Sequence, residues 1–213
     1  MGLGNPLTWS PLGAFAIASF AAVVGAPAFA SGVPAGSLIE NTASATYIAN
    51  STTQSVDSNT VSLTVDEVLD DAVASQESGP VPATGTAVLR FKVTNTGNGA
   101  ETFTLTANPA VPGNAFDATV TGLAVDVNGN GVYDAGVDTA LINGATSPSL
   151  AADGPLDVLV LVSIPTGAAA NATSRVQLNA LATTGTGTPG TLFAGAGVSG
   201  GDAVVGASGA QAN

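Results

Sequence analysis

Apolar and polar side chains alternate most regularly between Thr86 and Ala107. Every second residue from Leu89 to Val93 is apolar, and the same alternation returns from Phe103 to Leu105. A period of two places the apolar side chains of a β-strand on one face. The glycine and asparagine residues between positions 95 and 99 tolerate the positive φ angles of a tight loop. The pattern therefore predicts a β-hairpin whose apolar face must pack against a second sheet.

Two further runs, Ser37–Tyr47 and Val61–Val65, alternate in the same way and lie on either side of the polar stretch 49–59. They predict a second hairpin with the polar stretch as its turn region. The segment Asp66–Ser78 follows, carries four carboxylates in its first six residues and lacks strong alternation. We predict a solvated linker strand here, with a short capped helix as the alternative.

The second half of the chain contains four more predicted strands: Ala118–Val125, Thr139–Ile142, Asp157–Ile164 and Arg175–Leu181. The third of these, DVLVLVSI, is almost entirely apolar. Such a run is typical of a central strand that is covered on both faces, or of one whose outer face is covered by a partner. In the fourth strand Val176 and Leu178 are expected to face the core.

The first 30 residues differ from the rest of the chain. An unbroken run of small and apolar residues covers Leu12–Val24, and Ala28–Ala30 matches the A-x-A cleavage pattern. This layout predicts a signal peptide over residues 1–30 and a secreted, extracellular or cell-surface protein, although residues 1–11 lack the usual basic residue. A retained membrane anchor or a buried hairpin is the alternative. The apolar run is shorter than the roughly 20 residues of a spanning helix, so no stable membrane span is expected after cleavage.

The chain changes character again after residue 182. Residues 183–213 are rich in Gly, Ala and Thr, with few bulky apolar side chains. Ordering such a segment costs much backbone entropy, which favours a flexible tail. The alternative is an added or donated strand that pairs with another subunit, because Ala203–Val205 is apolar and flanked by glycine. The β-sandwich domain is accordingly assigned to residues 31–182.

Charge and missing residue types restrict the function. The 213 residues contain 15 acidic and 3 basic side chains, giving a net charge of −12. Such a surface repels nucleic-acid phosphates and anionic lipids, so nucleic-acid binding is not expected. The chain has no Cys and no His, which excludes disulfides, thiolate metal sites and His-based catalytic triads. Paired carboxylates are the remaining route to an enzyme, and aromatic residues for a sugar-binding cleft are scarce.

The most specific local motif is DVNGNGVYDAGVD at residues 126–138. It resembles a calcium-binding loop, with oxygen ligands expected from Asp126, Asn128, Asn130, Val132 (through its carbonyl) and Asp134, and Gly131 at the sharp turn. The end of the motif departs from the pattern, since position twelve is Val137 and Asp138 comes one residue later. A strand precedes the motif where an EF-hand has a helix. The alternative is a hairpin loop in which Asn and Gly only form turns.

Several phrases together resemble the DUF11-type, Ig-like repeat proteins of bacterial cell surfaces: AGSLIENTASATY, SNTVSLTVDEV, GTAVLRFKVTNTGNGAETFTL, DVNGNGVYDAGVDT and TLFAGAGVSGGDAVVG. The resemblance spans most of residues 35–208. It implies an all-β fold, an Ig-like antiparallel β-sandwich, as the number of predicted strands also indicates. Members usually carry several domains or an anchor, whereas this sequence spans about one module. This departure from the family pattern favours a small secreted subunit that assembles with copies of itself.

Three functions follow as hypotheses. The first is a non-enzymatic structural subunit that assembles with copies of itself into an extracellular filament or matrix by strand donation. Its candidate donors are the segment just after Ala30 and the tail Gly201–Gly206. The second is a monomeric, calcium-binding adhesion or binding module, which requires a ligand patch that the scarce aromatic residues supply poorly. The third, an enzyme, has the least support because histidine and cysteine are absent.

Overall fold

A computed structural model describes residues 32–213, so the predicted leader at residues 1–30 lies outside the described residues. The described part is all-β, as predicted, with a single short 3-10 turn at Val198–Gly200. Its strands are β1 Leu38–Asn41, β2 Ser44–Ala49, β3 Thr52–Asp57, β4 Val61–Thr64, β5 Glu67–Leu69, β6 Asp71–Ser75, β7 Thr86–Asn95, β8 Phe103–Asn108, β9 Thr119–Val125, β10 Thr139–Leu141, β11 Pro155–Ser163, β12 Gln177–Ala182, β13 Leu192–Phe193, β14 Ala203–Val205 and β15 Gln211–Ala212.

One face of the sandwich is an antiparallel sheet in the order β10-β9-β11-β7-β6. The apolar strand β11 lies at its centre and pairs with β9 on one side and β7 on the other. Val158, Leu159 and Val160 are consecutive and all buried, so both faces of this strand are covered. The prediction of a central strand is confirmed.

The opposite face is a smaller sheet in the order β15-β12-β8. Its inward side chains, among them Phe103, Leu105 and Leu178, meet Phe91 and Val93 of the first sheet in one apolar core. Period-two alternation in both sheets supplies these residues because every second side chain points inward. The sandwich packing therefore follows directly from the pattern of the sequence.

The predicted hairpin over Thr86–Ala107 is wrong in its pairing. Strand β7 pairs with β6 and β11, whereas β8 pairs with β12 in the opposite sheet. The loop between them crosses from one sheet to the other, and the apolar faces of the two strands pack against each other. Hydrogen-bonding the two strands side by side would have left both apolar faces on one side, in need of another cover. The arched connection buries them against each other instead.

The hairpin predicted from the runs Ser37–Tyr47 and Val61–Val65, which is the first along the chain, is confirmed. Its turn is much shorter than predicted. Strand β1 pairs with β4 and β2 pairs with β3, so the ladder runs from Leu38 to Thr64. The turn consists of Asn50 and Ser51, with φ angles of 50° and 61°. Two consecutive positive φ angles match the right-handed twist of hairpin strands. The polar stretch Thr52–Asp57 is a strand, because cross-strand pairing does not require one face to be apolar.

The segment predicted as a solvated linker is instead part of the folded module. It contains β5 and β6, and two of its carboxylates, Glu67 and Asp71, are buried. Strand β6 is an edge strand of the larger sheet, and β5 pairs in parallel with β14 of the C-terminal segment, so residues 66–78 join that segment to the sandwich. Local alternation could not reveal this, because the strand partner lies more than 130 residues further along the chain.

Candidate functional site

The predicted calcium loop connects two neighbouring antiparallel strands. Asp126 follows the last residue of β9, and Asp138 precedes the first residue of β10. Gly129 and Gly131 have φ angles of 69° and 74°, values that favour glycine. Their backbone N–H groups donate to Oδ1 and Oδ2 of Asp126, each at 2.7 Å. The glycines thus let the backbone wind around a single carboxylate.

Two of the predicted ligands, Asn128 and Asn130, bind the same carboxylate oxygen of a third, Asp134. The Nδ2 amides of Asn128 and Asn130 both donate to Oδ2 of Asp134, at 3.0 and 2.7 Å. These two hydrogen bonds lower the pKa of the Asp134 carboxyl because they stabilise its charged form. The motif therefore brings Asn128, Asn130 and Asp134 together, as the calcium pattern predicts for loop positions three, five and nine.

Asp138, the residue one position past the usual end of the motif, closes the loop. Its Oδ1 accepts from the N–H of Val127 at 3.1 Å, and its Oδ2 accepts from the N–H of Asp134 at 2.7 Å. Val132, whose carbonyl was the predicted seventh-position ligand, has an exposed side chain and donates its N–H to Oδ1 of Asn130 at 2.8 Å. Asp126 and Asp138 are thus joined to the loop through backbone amides.

The donor set consists of carboxylate and amide groups, which suits a hard cation such as Ca²⁺ in chemical type. The amides of Asn128 and Asn130, however, direct nitrogen and not oxygen at Asp134. Both amides would have to rotate for their oxygens to face an ion beside this carboxylate. Within residues 32–213, no cluster of three or more Asp, Glu, His or Cys side chains has an arrangement suited to a metal ion.

The loop is held firmly against the larger sheet. The N–H of Asp126 donates to the carbonyl of Asp157 on β11 at 3.0 Å, and the Asp157 carboxylate pairs with Lys92 at 2.6 Å. The Arg90 side chain lies over Gly131, where an added Cβ would come within 2.8 Å of Arg90 Cδ. The larger sheet beneath the loop would therefore stay in place if ion binding changed the conformation of the loop.

A second candidate site is the surface of the first hairpin, here called the projecting hairpin (Leu38–Thr64). Its strands are exposed along their whole length apart from the half-buried Ala49. Seven large apolar side chains are uncovered on it, namely Leu38, Ile39, Tyr47, Ile48, Val56, Val61 and Leu63. An isolated two-stranded hairpin is at best marginally stable in water. Exposed apolar side chains gathered on one element mark an interaction surface.

The side chain of Asn98 attaches the projecting hairpin to the sandwich. Its Oδ1 accepts from the N–H of Val68 at 2.6 Å, and its Nδ2 donates to the carbonyls of Val33 and Asp66 at 3.1 and 3.0 Å. Asn98 thus joins the chain just before the hairpin to the chain just after it. Sequence alternation predicted the hairpin but not its exposure. The exposure is evident only from the structure, in which no other element of residues 32–213 covers the hairpin.

Carboxylates of residues 66–78, the segment predicted as a linker, accept hydrogen bonds from the C-terminal segment. These contacts are called the clasp here. The N–H groups of Ser208 and Ala207 donate to Asp70, at 2.8 and 3.2 Å, and the N–H of Ala212 donates to Asp71 at 3.0 Å. Glu67 accepts from the N–H of Val198 at 2.9 Å. The tail therefore pairs within its own chain, through side chains as well as through the β5–β14 ladder.

Two carboxylates of this clasp have raised pKa values, mainly because burial disfavours their charged form. The folded state then binds more protons than the unfolded chain above the ordinary pKa values of 4.5 for Glu67 and 3.8 for Asp71. Stability is consequently lost as the pH rises through the raised values and regained as the pH falls. The opposite holds for Glu77, whose pKa is lowered chiefly by its hydrogen bond with Arg90 and whose contribution is lost in stronger acid.

We expect the melting temperature to rise as the pH falls from neutral toward 4.5, the ordinary pKa of Glu67, and to fall in stronger acid as Glu77 loses its charge. Thermal unfolding across this range, followed by circular dichroism, measures the profile. Glu67→Gln keeps an oxygen acceptor for Val198 and removes the titration, so its rise toward acid pH should be smaller. A variant profile identical to that of the wild type would contradict the assignment to Glu67.

Comparison with protein-family models, with curated proteins and with solved structures finds no match to this chain. Within residues 32–213, no helix has both the length and the apolar composition that crossing a membrane requires.

Proposed function

We propose that this chain is a non-enzymatic, secreted structural subunit that self-assembles into an extracellular filament or matrix. The observation that carries the proposal is the projecting hairpin, whose apolar side chains face solvent on an element that, among residues 32–213, is attached at its base. The resemblance to DUF11-type surface proteins supports the same function, since it implies an extracellular β-sandwich.

Burial of the hairpin supplies the driving force for association. Full burial of one large aliphatic or aromatic side chain contributes about 1.5–3 kcal/mol relative to exposure. Several such residues are exposed together, and the outer edges of the hairpin strands also carry backbone groups free to pair with another strand. A second copy that covers this element would therefore stabilise both the contact and the hairpin itself.

The hairpin is a better supported donor than either segment expected from the sequence. The tail Gly201–Gly206 contributes β14, which pairs with β5 and β13 of the same chain, so donating it would first break these contacts. The segment just after Ala30 is hydrogen-bonded through Ala35 and Gly36 to Asn98 and Val65. The projecting hairpin needs no such rearrangement to reach a partner.

Negative-stain electron microscopy of the extracellular material tests the proposal with cells that express the full chain and cells that lack it. Filaments or matrix are expected only when the chain is present. The variant Ile48→Glu should abolish them, because it places a charge on the apolar hairpin. Ile142→Glu is a matched control, since Ile142 lies off the hairpin and is 78% exposed, compared with 77% for Ile48. Only monodisperse particles from the wild type would contradict the proposal.

A monomeric, calcium-binding adhesion module is a second candidate, favoured by the convergence of Asn128 and Asn130 on Asp134. At a free Ca²⁺ concentration of roughly one hundred times the dissociation constant, calcium binding would stabilise the fold by about 2.7 kcal/mol. We expect Ca²⁺ to raise the melting temperature, and Mg²⁺ to raise it less because Mg²⁺ demands stricter octahedral geometry.

The variant Asp134→Asn should abolish this rise. Asp117→Asn is the control, because Asp117 is an exposed aspartate that also accepts from an asparagine amide, that of Asn114 at 3.4 Å. Differential scanning calorimetry with Ca²⁺, Mg²⁺ or chelator measures the shifts. Equal melting temperatures in all three conditions would show that the loop 126–138 serves only as a turn.

A further inference from the structure

A cleft of about 840 Å³ opens at one end of the sandwich. Two loops form its rim, Pro80–Gly85 and Ala168–Ser174, and its floor includes Leu89, Phe116 and Val176. These three floor residues are half-buried and pack against the core. The core is therefore uncovered at this end, and the cleft is large enough for several side chains of a partner.

The lining of the cleft is uncharged. None of its residues is acidic or basic, although the chain carries 15 acidic and 3 basic side chains. Ser174 lies in this lining, and its hydroxyl oxygen is buried with no hydrogen-bond partner. Buried polar atoms in folded proteins are nearly always hydrogen-bonded, either to protein or to ordered water.

The cleft and the projecting hairpin lie at opposite ends of the module. Strand β7 begins beside the cleft at Thr86 and ends nine residues later at Asn95, a span of roughly 30 Å at about 3.3 Å per residue. The loop that follows β7 carries Asn98, which attaches the hairpin. A surface at each end of one module allows copies to join in a row.

We propose that the cleft receives the tip of the projecting hairpin from a second copy of this chain, so that copies join head to tail. This inference rests on the proposed self-assembly and adds the surface that receives the hairpin. Docking would enclose both faces of the hairpin tip and cover Tyr47 and Val56 on one face and Ile48 on the other.

Charge distribution argues for a second copy as the occupant. Two copies with a net charge of −12 repel each other wherever their carboxylates meet. The hairpin between Thr42 and Val56 contains no charged residue, and neither does the lining of the cleft. These two surfaces can therefore meet without placing carboxylates opposite one another. Because the contact is heterologous and its two surfaces lie at opposite ends, it produces an open filament unless the rotation closes a ring.

A mixing experiment with two variants of the full chain tests the receiving surface. Ile48→Glu disables the hairpin and keeps the cleft, whereas Ala169→Glu adds a charge to the exposed rim of the cleft and keeps the hairpin. Each variant alone is expected to be monomeric in analytical ultracentrifugation. An equimolar mixture should form 1:1 dimers, since one working hairpin then meets one working cleft. The controls Ile142→Glu and Ala140→Glu, both at exposed positions outside these surfaces, should polymerise like the wild type.

The other outcomes separate the two proposals. Polymers of Ala169→Glu as abundant as those of the wild type, together with a monomeric Ile48→Glu, would overturn the cleft as receptor and leave self-assembly intact. A mixture that stays monomeric would also overturn the cleft. A wild type that stays monomeric would refute the proposed function itself. A melting temperature of monomeric Ile48→Glu well below that of monomeric Ala169→Glu would place a segment of the same chain on the hairpin and overturn docking between copies.

Discussion

Removal of residues 201–213 is expected to destabilise the whole sandwich by about 3–6 kcal/mol, a large share of the 5–15 kcal/mol that stabilises an ordinary domain. Ala203, Val205 and Ala210 of this segment are buried in the common core. The truncation also removes the ladder between β14 and β5 and that between β15 and β12. The core beneath them would be exposed to water.

Urea unfolding of the full chain and of the truncated chain, followed by circular dichroism, measures this loss. Two neighbouring valines provide a matched pair of point variants. Val205→Ala should cost about 1–3 kcal/mol because Val205 is buried, whereas Val204→Ala should cost much less because Val204 is half-buried. A truncated chain as stable as the full chain, yet unable to polymerise, would contradict this expectation and restore the tail as the donated strand.

Asn95→Ala is expected to cost about 2–5 kcal/mol, the second large effect. The Asn95 side chain is buried and makes three hydrogen bonds: its Nδ2 donates to the carbonyls of Gly99 at 2.7 Å and Leu150 at 3.0 Å, and its Oδ1 accepts from the N–H of Gly97 at 3.0 Å. Each buried backbone group that loses its partner costs about 1–3 kcal/mol. The loop that crosses between the two sheets would lose its internal support.

Asn98→Ala is the comparison for this prediction. Asn98 lies three residues further on and also makes three hydrogen bonds, but at a more exposed position. Water can replace those partners, so its effect on the unfolding free energy should be smaller than that of Asn95→Ala. Its effect on assembly should be larger, because Asn98 attaches the projecting hairpin. Equal losses of stability in the two variants, measured by urea unfolding, would contradict the role of burial.

Local pattern was a reliable guide to individual strands and a poor one to strand partners. The alternation at 86–95 and 103–108 predicted two strands correctly, yet the sheet to which each belongs was wrong. Which strands pair depends on how two apolar faces can be covered together, and that is a property of the whole core. The same limit applies to Glu67 and Asp71. A run of carboxylates indicates solvent locally, but here the tail brings backbone N–H groups that only a distant part of the chain can supply.

In the loop 126–138, by contrast, the local sequence was a good guide to which side chains lie together. The spacing of Asn128, Asn130 and Asp134 was sufficient to predict that these three side chains come together, because glycine at alternate positions permits the positive φ angles of a tight winding. The orientation of the two amides toward Asp134 was not predictable, since an amide can present either oxygen or nitrogen to the same neighbour.

The amino-acid sequence by itself determined the all-β class, the central strand β11, the first hairpin and the absence of histidine and cysteine chemistry. Those features depend on side-chain period and residue type, which are local. Only the tertiary structure decided that β7 and β8 face each other across the core, that the tail pairs within its own chain, and that the hairpin stays uncovered while a cleft opens at the far end. These features depend on which surfaces stay uncovered after all strands have packed. No single stretch of sequence determines that.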